Sequence, residues 1–402
     1  MLNSPKSFRL QIGIFGKTNV GKSTLLNKIT KQYTAITSAL AGTTTDPVEK
    51  SMELPPIGPV TIIDTAGIDD TSELGLERTE KTLKVIDRCD IAIIVCDSNG
   101  WGVYETGLYE KLSSSKIPVI AVINKIDIKP ISQKNYIKIQ EFCPEPLLVS
   151  LTTETNVTEL IKDLLVKNLP DSYIGSQTIV GNLIASGDIV LLVAPIDREA
   201  PKGRLILPQV QIIRDILDND AKVIVVQPGQ LQSMLSNLIF PPKLVVTDSQ
   251  VFDEVSAIVP QHIPLTSFSI LLAQFKGDLK TFVNSANKIS LLRDGANILI
   301  AESCTHHAIE DDIAKVKIPA MLEKKTGRKF NFVYVTGHEF PDDLSSYGLI
   351  IHCGGCMTNK KEILSRIYKA SQQNVPITNY GVVIAYCKGI LDRVIKIFNK
   401  KL

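Results

Sequence analysis

Apolar residues fall in short runs along the chain, each bounded by charged or turn-forming residues. Leu10–Phe15, Val60–Ile63, Ile91–Cys96 and Val119–Ile123 are continuous enough to predict strands buried on both faces. A glycine-rich turn and a helical stretch over Lys22–Thr30 follow the first of them. Strands alternating with helices predict a mainly parallel sheet covered on both sides. A second region repeats the pattern with strands at Ile189–Val193, Val223–Val226 and Leu244–Val246 and a helix over Gln209–Leu217, punctuated by prolines from Pro195 to Pro242. A third has strands at Asn297–Ala301, Phe332–Val335, Leu349–His352 and Pro376–Thr378, with amphipathic stretches over Lys360–Gln372 and Val382–Lys396. The chain thus divides into residues 1–170, 171–264 and 265–402, and the fold class is α/β with mainly parallel sheets in all three parts.

Length agrees, since 402 residues exceed what one ordinary core organises. Charged residues make up 21% and apolar ones 44%, a globular composition. The net charge of +2 does not advertise a nucleic-acid partner. Residues 265–402 carry 19 basic against 12 acidic residues, which fits either an anionic partner or a solvated lysine surface. Even the longest apolar runs, such as Ile189–Pro195, are too short for a membrane span. The N-terminal residues lack a signal-peptide core, so a cytoplasmic location is the expectation. Seven cysteines at irregular spacing argue against a disulfide framework.

Gly16, Lys17, Thr18, Asn19, Val20, Gly21, Lys22 and Ser23, continued by Thr24, match the P-loop pattern between a predicted strand and helix. Glycines let successive backbone N–H groups converge on phosphate oxygens. Lys22 is placed to reach the β- and γ-phosphates, and the Ser23 hydroxyl to coordinate Mg²⁺. Asp64, Thr65, Ala66 and Gly67 follow the strand Val60–Ile63. Asp64 is placed to hold Mg²⁺ through a water, and the Gly67 N–H to sense the γ-phosphate. Asn124, Lys125 and Asp127 follow the strand Val119–Ile123. A carboxylate at Asp127 accepts hydrogen bonds from guanine N1–H and its exocyclic amine, a donor pair adenine lacks. The reading is therefore GTP/GDP, with Lys22, Asp64 and Gly67 in the catalytic group, to which the resemblance described next adds Thr44.

These elements, in this order over about residues 8–168, resemble translation-factor-like GTPases of the tRNA-modification and ribosome-assembly branch. Within that resemblance, Gly42, Thr43 and Thr44 look like the switch-one element, making Thr44 the second Mg²⁺ ligand. Asn19 occupies the position of an asparagine found in the potassium-dependent members, which implies K⁺ acting in place of an arginine finger. Ile68 stands where Ras-like enzymes have a water-orienting glutamine, so intrinsic hydrolysis is expected to be slow. The guanine-contacting loop, often Ser-Ala in this branch, reads Ser150-Leu151.

A second constellation lies late in the chain: Cys304 and His306 after one predicted strand, and His352, Cys353 and Cys356 at the end of another. Ligands gather at the carboxyl ends of parallel strands. Three thiolates and one weaker ligand suit a Cys₃His zinc site or an iron–sulfur cluster with a labile fourth position. Spacing alone favours zinc. A Cys-x-His followed by His-Cys-x-x-Cys behind a GTPase domain resembles the FeFe-hydrogenase maturation GTPases of the HydF type. That resemblance implies a dimerisation domain over 171–264 and a cluster-binding domain over 265–402, with Cys304, Cys353 and Cys356 binding a 4Fe–4S cluster. The fourth position then falls to His352, His306, Glu302 or solvent. The resemblance further implies a homodimeric scaffold that passes a di-iron precursor to apo FeFe-hydrogenase, with radical-SAM maturation enzymes as partners. The alternative is a regulatory GTPase of RNA modification or ribosome assembly with a structural zinc module.

Other residues have plainer readings. Cys96 and Cys387 read as small buried hydrophobes. His338 reads as a loop histidine, and Asp197–Arg204 as a charged loop for an anion, a subunit contact or solvent.

Overall fold

The computed structural model describes residues 8–30, 47–67, 73–169, 178–196, 205–303 and 312–398. The chain forms two compact units, Met1–Gln177 and Thr178–Leu402.

The first unit is built on a six-stranded sheet in the order β2-β3-β1-β4-β5-β6. The strands are β1 (Leu10–Phe15), β2 (Val48–Leu54), β3 (Gly58–Asp64), β4 (Ile91–Cys96), β5 (Val119–Ile123) and β6 (Leu147–Leu148). All pairings are parallel except β2 with β3, a hairpin at the sheet edge. Successive residues of a strand face opposite sides, which explains why the central strands β1 and β4 are apolar on both faces apart from Gln11. In β4, Ile91, Ile93 and Val95 join one core with Leu25, Leu26 and Ile29 of the helix Lys22–Thr30 and Ile161 and Leu165 of the helix Val157–Asn168. Ala92, Ile94 and Cys96 join the opposite core with Leu108, Leu112 and Ile139 from the helices Val103–Ser114 and Gln133–Gln140. Fully burying such a side chain stabilises by about 1.5–3 kcal/mol, so the sheet is clamped from both faces.

The second unit holds two four-stranded parallel sheets. The order of one is β10-β9-β7-β8, with β7 (Ile189–Val193), β8 (Lys222–Val226), β9 (Leu244–Thr247) and β10 (Leu265–Ser267). The other runs β12-β11-β13-β14, with β11 (Asn297–Glu302), β12 (Asn331–Thr336), β13 (Leu349–His352) and β14 (Ile377–Asn379). The expected division after Pro264 falls immediately before β10, which pairs with β9, and the helix Phe268–Lys276 follows at once. Polar contacts tie the two halves of this unit together. Lys388 pairs with Asp253 at 2.5 Å, Lys317 Nζ donates to Gln250 Oε1, and Arg393 donates to the carbonyls of Ser256 and Val259. The stretch expected as one helix over Val382–Lys396 is two, Tyr380–Cys387 and Leu391–Ile395, because Gly389 between them takes a left-handed conformation (φ 71°). Among the described residues no helix is long and apolar enough to cross a membrane.

Candidate nucleotide and metal sites

The P-loop leaves the end of β1 and enters the helix Lys22–Thr30. Gly21 sits at φ 107°, and a Cβ there would lie 2.3 Å from Asn124 Nδ2, so only glycine lets the loop pass. Lys22 is buried, and its Nζ donates to Gly16 O (3.0 Å) and Lys17 O (2.7 Å), placing its charge across the mouth of the loop. Ser23 Oγ donates to Asp64 Oδ2 at 2.5 Å. The other carboxylate oxygen, Oδ1, is buried without a hydrogen-bond partner. Burial raises the Asp64 pKa, while the Ser23 hydrogen bond, Lys22 and Lys50 pull it back. A hydroxyl and a half-satisfied buried carboxylate beside the P-loop suit a hard divalent cation. Gly67 comes so close that a Cβ would lie 2.2 Å from Thr18 Oγ1 and 2.6 Å from Thr18 N. Thr65 Oγ1 anchors this turn on Ile14 O at 2.8 Å.

Asn124 links the P-loop to the base-side loops. Its Nδ2 donates to Val20 O (2.8 Å), and its Oδ1 accepts from Leu151 N (3.0 Å). Lys125 Nζ donates to Asn19 O at 2.6 Å, and both residues hold left-handed backbone, φ 63° and 62°. Asp127 Oδ2 lies 3.5 Å from Thr152 Oγ1, next to Ser150 and Leu151 in the chain. One anchor has no motif signature. Glu105 is buried on the helix Val103–Ser114 and pairs with Lys17 at 3.0 Å. Thr44, its neighbours Gly42 and Thr43, and Ile68 lie outside the described residues, as does the loop Asp197–Arg204.

In the second unit, β11 pairs in parallel with β13 and Ala301 stands opposite His352. That register sets the two strand ends side by side. Ser303 N donates to Cys353 Sγ at 3.1 Å, and Ser303 Oγ lies 3.1 Å from the same sulfur. Gly355 N donates to it from 3.4 Å. Two backbone amides thus converge on this buried sulfur. Cys356 follows on the same turn, half-buried. The helix Phe268–Lys276 delivers Lys276 beneath this turn, where its Nζ donates to Gly355 O (2.7 Å) and Thr358 O (3.1 Å). Burial lowers the Lys276 pKa to about 8, against the pull of Cys356 and Cys353. From the third strand end, Asn379 Nδ2 donates to Cys353 O at 3.2 Å.

His352, expected among the metal ligands, has both ring nitrogens engaged. Nδ1 lies 2.8 Å from Cys353 O, and Nε2 lies 2.9 Å from Arg366 Nη1. Burial and Arg366 lower its pKa to about 4, so the ring is neutral and Nε2 accepts. Ligating a metal through either nitrogen first breaks one of these bonds. Arg366 also donates to Glu362 at 2.6 Å, and both are buried. His338 lies 3.1 Å from the same carboxylate. Cys304 and His306 lie outside the described residues, and among the described ones no cluster of three or more His, Cys, Asp or Glu side chains forms. Glu302 ends β11, one residue before Ser303. Burial pushes the Cys96 and Cys143 thiols up to about 12 and Cys387 to about 11, as suits inert packing.

Residues 179–277 match the model of the hydrogen maturase F dimerization domain, and residues 280–397 that of the hydrogen maturase F tetramerization domain. Together these span more than half of the chain. The chain belongs to the hydrogen maturase F family. Its first unit carries a GTPase domain, residues 11–125 matching the 50S ribosome-binding GTPase model. The tRNA modification GTPase MnmE of Prochlorococcus marinus (strain NATL1A) is 36% identical over 166 residues, 39% of this chain and 34% of that protein. GTPase Der of Chloroflexus aurantiacus is 36% identical over 134 residues, 31% of this chain and 30% of its own length. The chain thus spans about a third of the curated relatives it matches. Among solved structures, Era of Aquifex aeolicus bound to GDP and aluminium fluoride aligns over 54% of this chain and 92% of its own, at 24% identity and a TM-score of 0.36. The matched models thus describe a GTPase domain followed by the dimerization and tetramerization domains of hydrogen maturase F.

Several residues that shape the two sites carry no sequence signal. Glu105, Lys276, Ser303, Glu362, Arg366 and Asn379 sit outside any motif, and only strand order and register bring them in.

Proposed function

We propose that this chain binds and hydrolyses GTP in its first unit and carries a 4Fe–4S cluster in its second, from which a di-iron precursor passes to apo FeFe-hydrogenase. Lys22 exchanges the carbonyls of Gly16 and Lys17 for β- and γ-phosphate oxygens. Ser23 and Thr44 would hold Mg²⁺, with Asp64 acting through a water; the ion supplies charge neutralisation at the transferring phosphate. Asn19 would hold K⁺ in the role of an arginine finger, and the Gly67 N–H reports the γ-phosphate. Asp127 accepts from guanine N1–H and its amine, and a site built on such buried pairing rejects bases that lack the donors. The missing glutamine at Ile68 keeps turnover slow, as suits a switch.

The observation that carries the metal half is the contact of Ser303 with Cys353 at adjacent strand ends, where amide donors hold the Cys353 sulfur; Cys304 follows Ser303 in the sequence. The donor set fits: Cys304, Cys353 and Cys356 would hold the cluster, which supplies an open iron position for exchange. With His352 engaged, that position is left to His306, Glu302 or solvent. The scaffold works as a homodimer in the cytoplasm with radical-SAM maturation enzymes as partners.

The test is anaerobic reconstitution of the full chain with iron and sulfide, followed by iron and zinc analysis and EPR after reduction. About four irons per chain with a reduced 4Fe–4S signal, lost in Cys304→Ala, Cys353→Ala and Cys356→Ala, supports the reading. One tightly bound zinc that iron does not displace overturns it.

A further inference from the structure

Lys276 is the last residue of a largely apolar helix, Phe268–Lys276, and it is 0% exposed. A lysine is almost never fully buried unless it is paired. Its Nζ is directed at two backbone carbonyls of the Cys353–Cys356 turn, Gly355 O and Thr358 O. Carbonyl dipoles satisfy its hydrogen bonds but supply no full negative charge. Among the groups whose negative charge would act on it are the sulfurs of Cys356 and Cys353, on the turn whose carbonyls it holds. The lysine lies in the segment matched by the dimerization model, whereas the turn lies in that matched by the tetramerization model, and both belong to one compact unit.

We propose that Lys276 is the built-in counter-charge of the metal site: it grips the cysteine turn by its carbonyls and offsets the negative charge of thiolate-bound iron. This rests on the cluster reading above. A cluster held by thiolates becomes more negative when it gains an electron, so a fixed cation beneath it favours the reduced form. The residue acts through the turn and the local field, and is a positioning residue rather than a ligand.

The test compares wild type, Lys276→Met and Lys276→Gln as full-length chains reconstituted anaerobically with ferrous iron and sulfide. Lys276→Met removes both charge and donor; Lys276→Gln removes the charge and keeps a donor. Iron and sulfide are counted, and the midpoint potential is read by EPR during one-electron titration with dithionite. Far-UV circular dichroism checks folding, and Lys276→Gln carries the test if Lys276→Met does not fold. Both variants are expected to shift the reduction equilibrium at least tenfold toward the oxidised form, about 59 mV for one electron. Unchanged potential and iron content in a folded variant overturn the proposal. So does a wild-type potential in Lys276→Gln alone, which reduces the lysine to a carbonyl clamp. A wild type that takes up no iron instead refutes the cluster reading and removes the proposal's basis.

Discussion

Asn124→Ala tests the bridge that holds the nucleotide loops together. The substitution removes an amide that donates to Val20 O at 2.8 Å and accepts from Leu151 N at 3.0 Å, all within a buried region. Each backbone group left without a partner costs about 1–3 kcal/mol. With two such groups and partial relaxation, the first unit should lose about 3 kcal/mol, a large share of the roughly 5–15 kcal/mol that holds a domain. The chain provides its own probe, since its single tryptophan, Trp101, is buried in the first unit against Phe142. Urea unfolding followed by Trp101 fluorescence should show a lower midpoint with an unchanged slope. Guanine-nucleotide affinity should fall at least tenfold, about 1.4 kcal/mol, because the loops at Val20 and Leu151 lose their common anchor. A loss of stability below about 0.5 kcal/mol, the size of an ordinary surface substitution, would refute the argument that Asn124 fixes these loops.

Burial raises the Asp64 pKa, so the folded state disfavours its carboxylate and this destabilisation grows as pH rises from the unfolded value through the folded one. Asp64→Asn should therefore make the nucleotide-free chain more resistant to urea at pH 7, with the gain vanishing in acid, while Mg²⁺-dependent GTP hydrolysis is lost; a destabilised variant at pH 7 contradicts this. If Asn19 serves a potassium ion, phosphate release from GTP should be faster in KCl than in NaCl at equal ionic strength, and Asn19→Ala should abolish the difference. Arg366→Met leaves Glu362 buried without its 2.6 Å partner and frees His352 Nε2. Loss of one member of a buried pair costs about 3–5 kcal/mol, to be read as a lower thermal midpoint of the second unit by calorimetry, and a change under about 1 kcal/mol argues against a structural ion pair.

Much of the fold was legible because buried parallel strands read as apolar runs: β4, β5 and β7 are apolar throughout, β9, β11 and β13 carry polar residues only at their ends, and β1 is interrupted only by Gln11 and Gly13. The hairpin strand β2 was not, because Val48–Leu54 carries Glu49, Lys50 and Glu53 and only partly buries its residues. Charges of this kind keep an edge strand from pairing with other chains, and they erase its apolar signature. β10 is three residues long, too short for any periodicity. The P-loop and the Asn124–Asp127 motif were legible because phosphate and guanine recognition dictate residue types at fixed local spacing. The surroundings of Cys353 were not. A lysine at the end of an apolar helix reads as a snorkelling surface residue, and only the packing of Phe268–Lys276 shows Lys276 to be enclosed. His352 adjoins Cys353 in sequence, yet Arg366, a turn along the helix from Glu362, claims its outer nitrogen.

The register of β11 against β13 has a mechanical side. Ser303 and Cys353 touch across a separation of 50 residues, and β12 lies within the intervening chain. If Cys304 and Cys353 both hold the proposed cluster, that stretch would become a closed ring, as with a disulfide. Closing a ring of this length removes about 4 kcal/mol of unfolded-chain entropy. The metal would then be a fastener for its own sheet as well as its cargo platform, and stripping it would loosen the segment holding β12 ahead of the sheet built on β7 and β9.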